Sequence, residues 1–214
     1  MLAFGGRGVH ADILSHALWP DADGDKARNA FDVTLHRLRN LLELRELLIT
    51  QDQQLTLNNR LAWVDVWEFE RLVNYSEQLL NRNPAPAASR QLARCEERLL
   101  TLYQGAFLER EATRPWSIRL RERLRSKLLR HMLDSGRVWE SAREWDRAIR
   151  FYRKGLELDP LVETFYQRLM ICLRESGRNG DALAMFHQCR KVFATHFQAS
   201  PSRQTLDLYA TLKR

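Results

Sequence analysis

The sequence predicts a mainly α-helical protein in two parts: a helix-turn-helix closed by a β-hairpin, then a stack of helical hairpins. Three observations predict it. Phe31, Leu35, Leu38 and Leu42 recur at helical spacing within Lys26–Leu42, with amide, imidazole and guanidinium groups on the opposite side. Two β-prone runs, residues 47–50 and 54–57, follow around a polar Gln51-Asp52-Gln53 turn. Farther along, a pattern of small and aromatic residues returns after 34 positions, Ala148 with Ala182, Tyr152 with Phe186 and Gly155 with Cys189.

Composition bounds the function classes. The 214 residues are 44% hydrophobic and 29% charged with few Gly and Pro, which suits a globular, helix-rich chain of one large or two small domains. No stretch approaches the roughly twenty apolar residues of a membrane span. The N-terminus lacks the basic start and long apolar core of a signal peptide, so a cytoplasmic location is expected. Cys95, Cys172 and Cys189 are too far apart for a metal knuckle or a disulfide framework and read as small buried residues. The histidines form no HExxH pattern, and His187 and His196 are expected on a helix surface. The GGRG at residues 5–8 has neither the preceding strand nor the GK[ST] ending of a phosphate loop, and residues 20–25 are too short for a calcium loop. No nucleophile elbow is present. No enzyme activity, metal or cofactor is therefore expected.

Taken in order, residues 1–9 are short and Gly-rich. His10 to Leu18 follows as a brief helix, ended by Trp19-Pro20 because proline disfavours helix at the residue before it. Residues 20–25 form a polar loop, and Asp25 is the expected N-cap of the Lys26–Leu42 helix. Short helix, loop, amphipathic helix and hairpin together give the wiring of a winged helix.

The stretch LWPDADGDKARNAFDVTLHRLRNLL resembles the second half of an OmpR/PhoB-type winged helix, through Leu18-Trp19 and the run DVTLHRLR at residues 32–39. That family also carries an N-terminal sheet and a full first helix, for which this chain starts too late. Residues 1–61 are thus expected to be the C-terminal part of such a domain, with a hairpin that lacks strands to pair with. The resemblance implies that Lys26–Leu42 enters the major groove. His36 and Arg37 are then the first candidates for base-edge or phosphate contact. Asn29, Thr34 and Asn40 are candidates for hydrogen bonds to bases or phosphates, and Arg39, on the flank, for a phosphate. Asp32 would repel phosphate and is expected to orient a neighbouring Arg. Gln51, Gln53 and Gln54 stand at the wing tip, but Asp52 and the lack of Lys or Arg there disfavour a minor-groove contact.

Residues 62–214 read as helices. One runs from Asp65, its expected cap, to about Asn81, and a Pro/Ala/Ser linker covers residues 81–89. Another runs from Ser89 to Tyr103, with Gly105 as its stop. Residues 107–115 are irregular, and from Trp116 the chain is helical with short breaks. Gly136 and Trp139 stand where a tetratricopeptide repeat places its glycine and aromatic, and Pro160 ends the first copy. In the weaker second copy Met170 and Leu173 replace them. The physical basis is packing: a small residue lets two helices approach, and an aromatic fills the gap to the next hairpin. Trp139, Tyr152, Phe165, Tyr166 and Phe186 are therefore expected in the core.

Charge is uneven. Residues 1–64 hold seven Lys/Arg and eight Asp/Glu, whereas Arg114–Arg130 holds seven basic residues and only Glu122 as an acid. Arg119, Arg123, Lys127 and Arg130 form a ridge at helical spacing. This basic patch is either a second contact to DNA backbone or an acidic partner, or a solvated helix face.

Both parts together resemble the bacterial transcriptional activator domain family of SARP type, in which an OmpR-type winged helix is followed by a tetratricopeptide-containing activator domain. The further segments are VDVWEFERL (64–72), LYQGAFLE (102–109), RERLRSKLLR (121–130), YRKGLELDPLVE (152–163) and ASPSRQTLDLY (199–209). The resemblance implies a DNA-binding transcriptional regulator, an activator. Its implied partners are promoter double-stranded DNA, RNA polymerase or another protein through the helical region, and a second copy of the chain, with no membrane. The alternative is a tetratricopeptide interaction or oligomerisation module at the end of a larger ATPase-type regulator, without DNA binding of its own.

Overall fold

Residues 1–81, 86–111 and 113–212 are described by the computed structural model. They divide into two compact units, residues 1–72 with 97–124, and residues 73–96 with 125–214.

The first unit begins with a two-residue strand, β1 (Val9–His10), then α1 (Ala11–Leu18), α2 (Gly24–Leu42), β2 (Leu48–Gln51) and β3 (Gln54–Leu57). The strands form an antiparallel sheet in the order β1-β3-β2, with Val9 opposite Leu55 and Leu48 opposite Leu57. This corrects the expectation of an unpartnered hairpin. The segment before α1 reinforces the pairing: Leu57 N donates to the Gly6 carbonyl at 2.9 Å and Gly8 N to Thr56 Oγ1 at 2.9 Å. A strand of two residues has no alternation to betray it, so only the pairing reveals it. Val9, Ala11, Leu14, Phe31, Leu35, Leu48 and Leu55 make the core, with Trp19 and Leu42 packed against it.

Two local readings change. The N-cap of α2 is Asp23, with Asp25 inside the first turn, where its charge still favours the positive helix end. The hairpin turn is only Asp52-Gln53, both at positive φ (47° and 60°), the two-residue geometry whose twist matches the strands. Gln51 and Gln54 are therefore paired strand residues.

Helices α3 (Asp65–Asn81), α4 (Pro86–Leu102) and α5 (Pro115–Ser141) contribute to both units. Asp65 Oδ1 accepts from Val66 N at 2.7 Å. Residues 82–85 of the expected linker lie outside the described residues, and α4 opens three residues early, at Pro86. Both α4 and α5 start on proline, whose missing N–H removes nothing from a first turn.

The second unit adds α6 (Trp145–Leu158), α7 (Glu163–Glu175), α8 (Asn179–Phe197) and α9 (Arg203–Leu212). Its packing is repeat-like, and the glycines explain it. A Cβ on Gly136 would lie 2.3 Å from the Tyr152 ring, and one on Gly155 would lie 2.4 Å from the Phe165 ring. The aromatic of each following helix thus sits against the backbone of the one before. Trp139, Tyr152, Phe165, Tyr166 and Phe186 are at most 2% exposed, and the three cysteines are buried. Gly155→Ala is expected to lower stability by about 1–3 kcal/mol through overpacking, although alanine is the better helix former. Gly180→Ala, with open space around it, is the control and is expected to show no loss in urea denaturation. Equal behaviour of the two variants would contradict the packing account.

Among the described residues, no helix is long and apolar enough to cross a membrane, and no group of three or more His, Cys, Asp or Glu is placed to hold a metal ion.

Candidate nucleic-acid interface

The amphipathic pattern of α2 sets which side chains it presents. Ala27, Phe31 and Leu35 face inward, and at about 100° per residue the opposite side falls to Asn29, Val33, His36 and Asn40, with Arg37 beside them. All five of these are exposed, as is Thr34 on the flank. Asn40 Nδ2 lies 3.1 Å from His36 Nε2, one helical turn apart, so the two form a single polar surface. Arg37 makes no hydrogen bond or ion pair among the described residues, and its guanidinium is available. Val33, 50% exposed, places an isopropyl group among these polar side chains.

Arg39 is placed differently. One of its terminal nitrogens donates to the Leu48 carbonyl at 2.8 Å and to Thr50 Oγ1 at 2.7 Å. It thereby ties the helix to β2, a partner that lay too far along the sequence to be read from it. Asp32 does orient a neighbouring Arg: Arg28 Nε lies 3.6 Å from Asp32, while Arg28 Nη1 reaches Asp12 on α1 at 2.9 Å. Arg28 therefore braces the two helices, which the sequence did not reveal because Asp12 belongs to another element.

Leu38 is a correction. It was expected on the buried face yet is 39% exposed, and Leu41 is 80% exposed. Helix α1 has eight residues and α2 nineteen, about 12 Å against about 28 Å. The shorter helix covers only part of the longer one.

On α5, Arg119 and Arg130 are exposed, Lys127 is half-buried, and Arg123 pairs with Glu70 at 2.9 Å. Arg121 donates to the carbonyls of Phe107 and Leu108, and Arg125 meets Asp159 at 2.7 Å. Glu122 is thus not the sole acid serving this stretch. The neutralising groups come from other elements, which a helix-by-helix charge count misses.

Residues 64–213 match the family model for the bacterial transcriptional activator domain. No curated protein matches the chain. Among solved structures, the fold is similar to that of Mycobacterium tuberculosis EmbR, determined in complex with a low-affinity phosphopeptide. The TM-score is 0.71 at 20% identity, covering 97% of this chain and 55% of EmbR. The chain therefore spans about half the length of that structure.

Proposed function

The chain belongs to the bacterial transcriptional activator domain family, of SARP type, and on that premise we propose that it is a DNA-binding transcriptional activator. In this reading residues 1–61 are the C-terminal part of an OmpR-type winged helix and residues 62–214 a tetratricopeptide-like activator domain. Helix α2 lies in the major groove. Its exposed polar face carries the reading: Asn29, Thr34, His36, Arg37 and Asn40 point outward from a helix braced by α1 and the sheet. Arg37 and the His36–Asn40 pair address base edges, and Arg39 adds a phosphate contact while holding β2. The helical unit contacts the transcription machinery or a second copy of the chain. We assign it no catalytic step.

With few phosphate contacts and a net charge of −1 over residues 1–64, binding rests on placed side chains more than on bulk attraction. His36→Ala with Arg37→Ala is expected to weaken specific duplex binding by about 1–3 kcal/mol per contact and to relax sequence preference. Titration of cognate and scrambled duplexes at fixed salt checks it. Unchanged discrimination would remove α2 from the interface.

The same net charge favours a second reading, an interaction module at the end of a larger regulator. Duplex binding that is absent at low salt, where phosphate contacts are strongest, would select it.

A further inference from the structure

Helix α9 closes the end of the helical stack, yet little of it is buried. Seven residues of α7 are buried, whereas among the described residues of α9 only Thr205 is. We propose that α9 is exchanged between two copies of this chain, each copy seating its α9 on the α7 and α8 of the other. The inference rests on the second-copy contact proposed above for the helical unit and makes it specific.

The seat is polar and fits this one helix. Glu163 Oε1, at the start of α7, accepts from Ser202 N at 2.7 Å and from Thr205 Oγ1 at 2.5 Å, so it caps the first turn of α9. Gln167 Nε2 donates to Thr205 Oγ1 at 2.9 Å, and farther along Arg174 Nη1 donates to Thr211 Oγ1 at 3.4 Å. The Tyr209 ring lies flat on Phe186 of α8, with centroids 3.8 Å apart and planes 8° apart. A helix held by polar ties and one ring stack opens at lower cost than one held by buried apolar surface. An open seat, however, takes these partners from Glu163 and Gln167 and bares Phe186, which is 2% exposed when covered. The segment that restores every one of these contacts is the same helix from a second copy. Exchange is reciprocal, so its product is a closed two-fold dimer.

The hinge is residues 198–202, between α8 and α9. Gln198 stands at φ 51°, a left-handed conformation that a Cβ disfavours, and its N–H closes α8 on the Phe193 carbonyl. Extending the chain relieves that turn. Pro201 disfavours helix at Ser200, so an opened hinge runs on as extended chain and carries α9 away from its own α7. Within one chain α9 meets its seat at an effective concentration on the order of 1 mM, which sets the range where exchange competes.

Sedimentation equilibrium of the full chain tests the exchange. Wild type is expected to be monomeric at about 10 μM and to dimerise toward about 1 mM. Deleting Gln198, Ala199 and Ser200 removes the left-handed residue and leaves only Pro201 and Ser202 for the reversal. This shortened hinge is expected to lower the dimerisation midpoint about tenfold or more. On that background Glu163→Ala damages the seat and Tyr209→Ala damages the helix. Each alone is expected to dimerise about tenfold more weakly, and their mixture to recover, because a mixed dimer joins one intact seat to one intact helix. A dimer that ignores hinge length, or a mixture that behaves as the average of its parts, overturns the exchange and leaves a second-copy contact elsewhere on the unit. Monomers from both hinges overturn the exchange and the second-copy contact together. The measurement contains no DNA, so it is independent of the role of α2.

Discussion

Glu140→Ala is expected to lower the stability of the helical unit by about 3 kcal/mol, the low end of the cost of removing one partner from a buried ion pair. Glu140 sits on α5 at 9% exposure and serves three helices at once. Its carboxylate accepts from the Tyr152 hydroxyl on α6 and from two nitrogens of Arg168 on α7, one of them Nε at 2.8 Å. Burial pushes the Tyr152 phenol well above its ordinary range, so it remains a donor at all working pH values. Alanine leaves a buried hydroxyl and a guanidinium without their acceptor. Arg168 retains a route to water at 29% side-chain exposure, which is why the low end applies. Glu140→Gln keeps a carbonyl for the hydroxyl and is expected to lose less. Urea denaturation and hydrogen exchange along α5–α7 measure both. A loss under about 1 kcal/mol for the alanine variant would show that water replaces the carboxylate.

The second large effect is acid sensitivity centred on His131. The imidazole is 2% exposed, with Nδ1 3.3 Å from Ser76 Oγ and Nε2 3.4 Å from Ser135 Oγ. Ser76 donates its own hydrogen to the Val73 carbonyl, so its oxygen accepts from Nδ1–H, and Nε2 is left to accept from Ser135. This arrangement suits the neutral ring, and burial lowers the pKa from 6.5 to about 4. Between those values the unfolded chain binds a proton that the folded chain refuses. The contribution of the neutral ring is therefore complete above pH 6.5 and is lost as the pH falls toward 4, by about 1.4 kcal/mol per unit and about 3 kcal/mol in all. Carboxylates also titrate near the lower limit, so the decisive quantity is the difference between wild type and His131→Gln across pH 4–7. Wild type is expected to lose its advantage steadily on acidification, and a flat difference would contradict the buried neutral ring.

Much of the fold was legible because it rests on local periodicity. The face of α2 carrying Phe31 and Leu35 follows from spacing alone, as do Gly136 and Gly155 as close-approach points. The strand β1 was not legible, because two residues form a strand only when a third segment bonds to them. The candidate interface divides in the same way. Asn29, Thr34, His36, Arg37 and Asn40 were placed by their angle on one helix. The bond of Arg39 to Leu48 and Thr50 depends on where the chain returns as β2. The contact of Arg174 with α9 also escaped the sequence reading, since 37 residues separate it from Thr211 and only packing brings the two together.

The sequence by itself determined the helices, the hairpin, the repeat and the outward side of α2, all consequences of side-chain periodicity along a regular backbone. The tertiary structure decided the pairing of charge and the cover of apolar surface: which arginines are tied, why Leu38 is exposed, and how Glu140 joins three helices. Ion pairs and burial depend on distance in space, and residues such as Arg123 and Glu70 become neighbours only when the chain has folded.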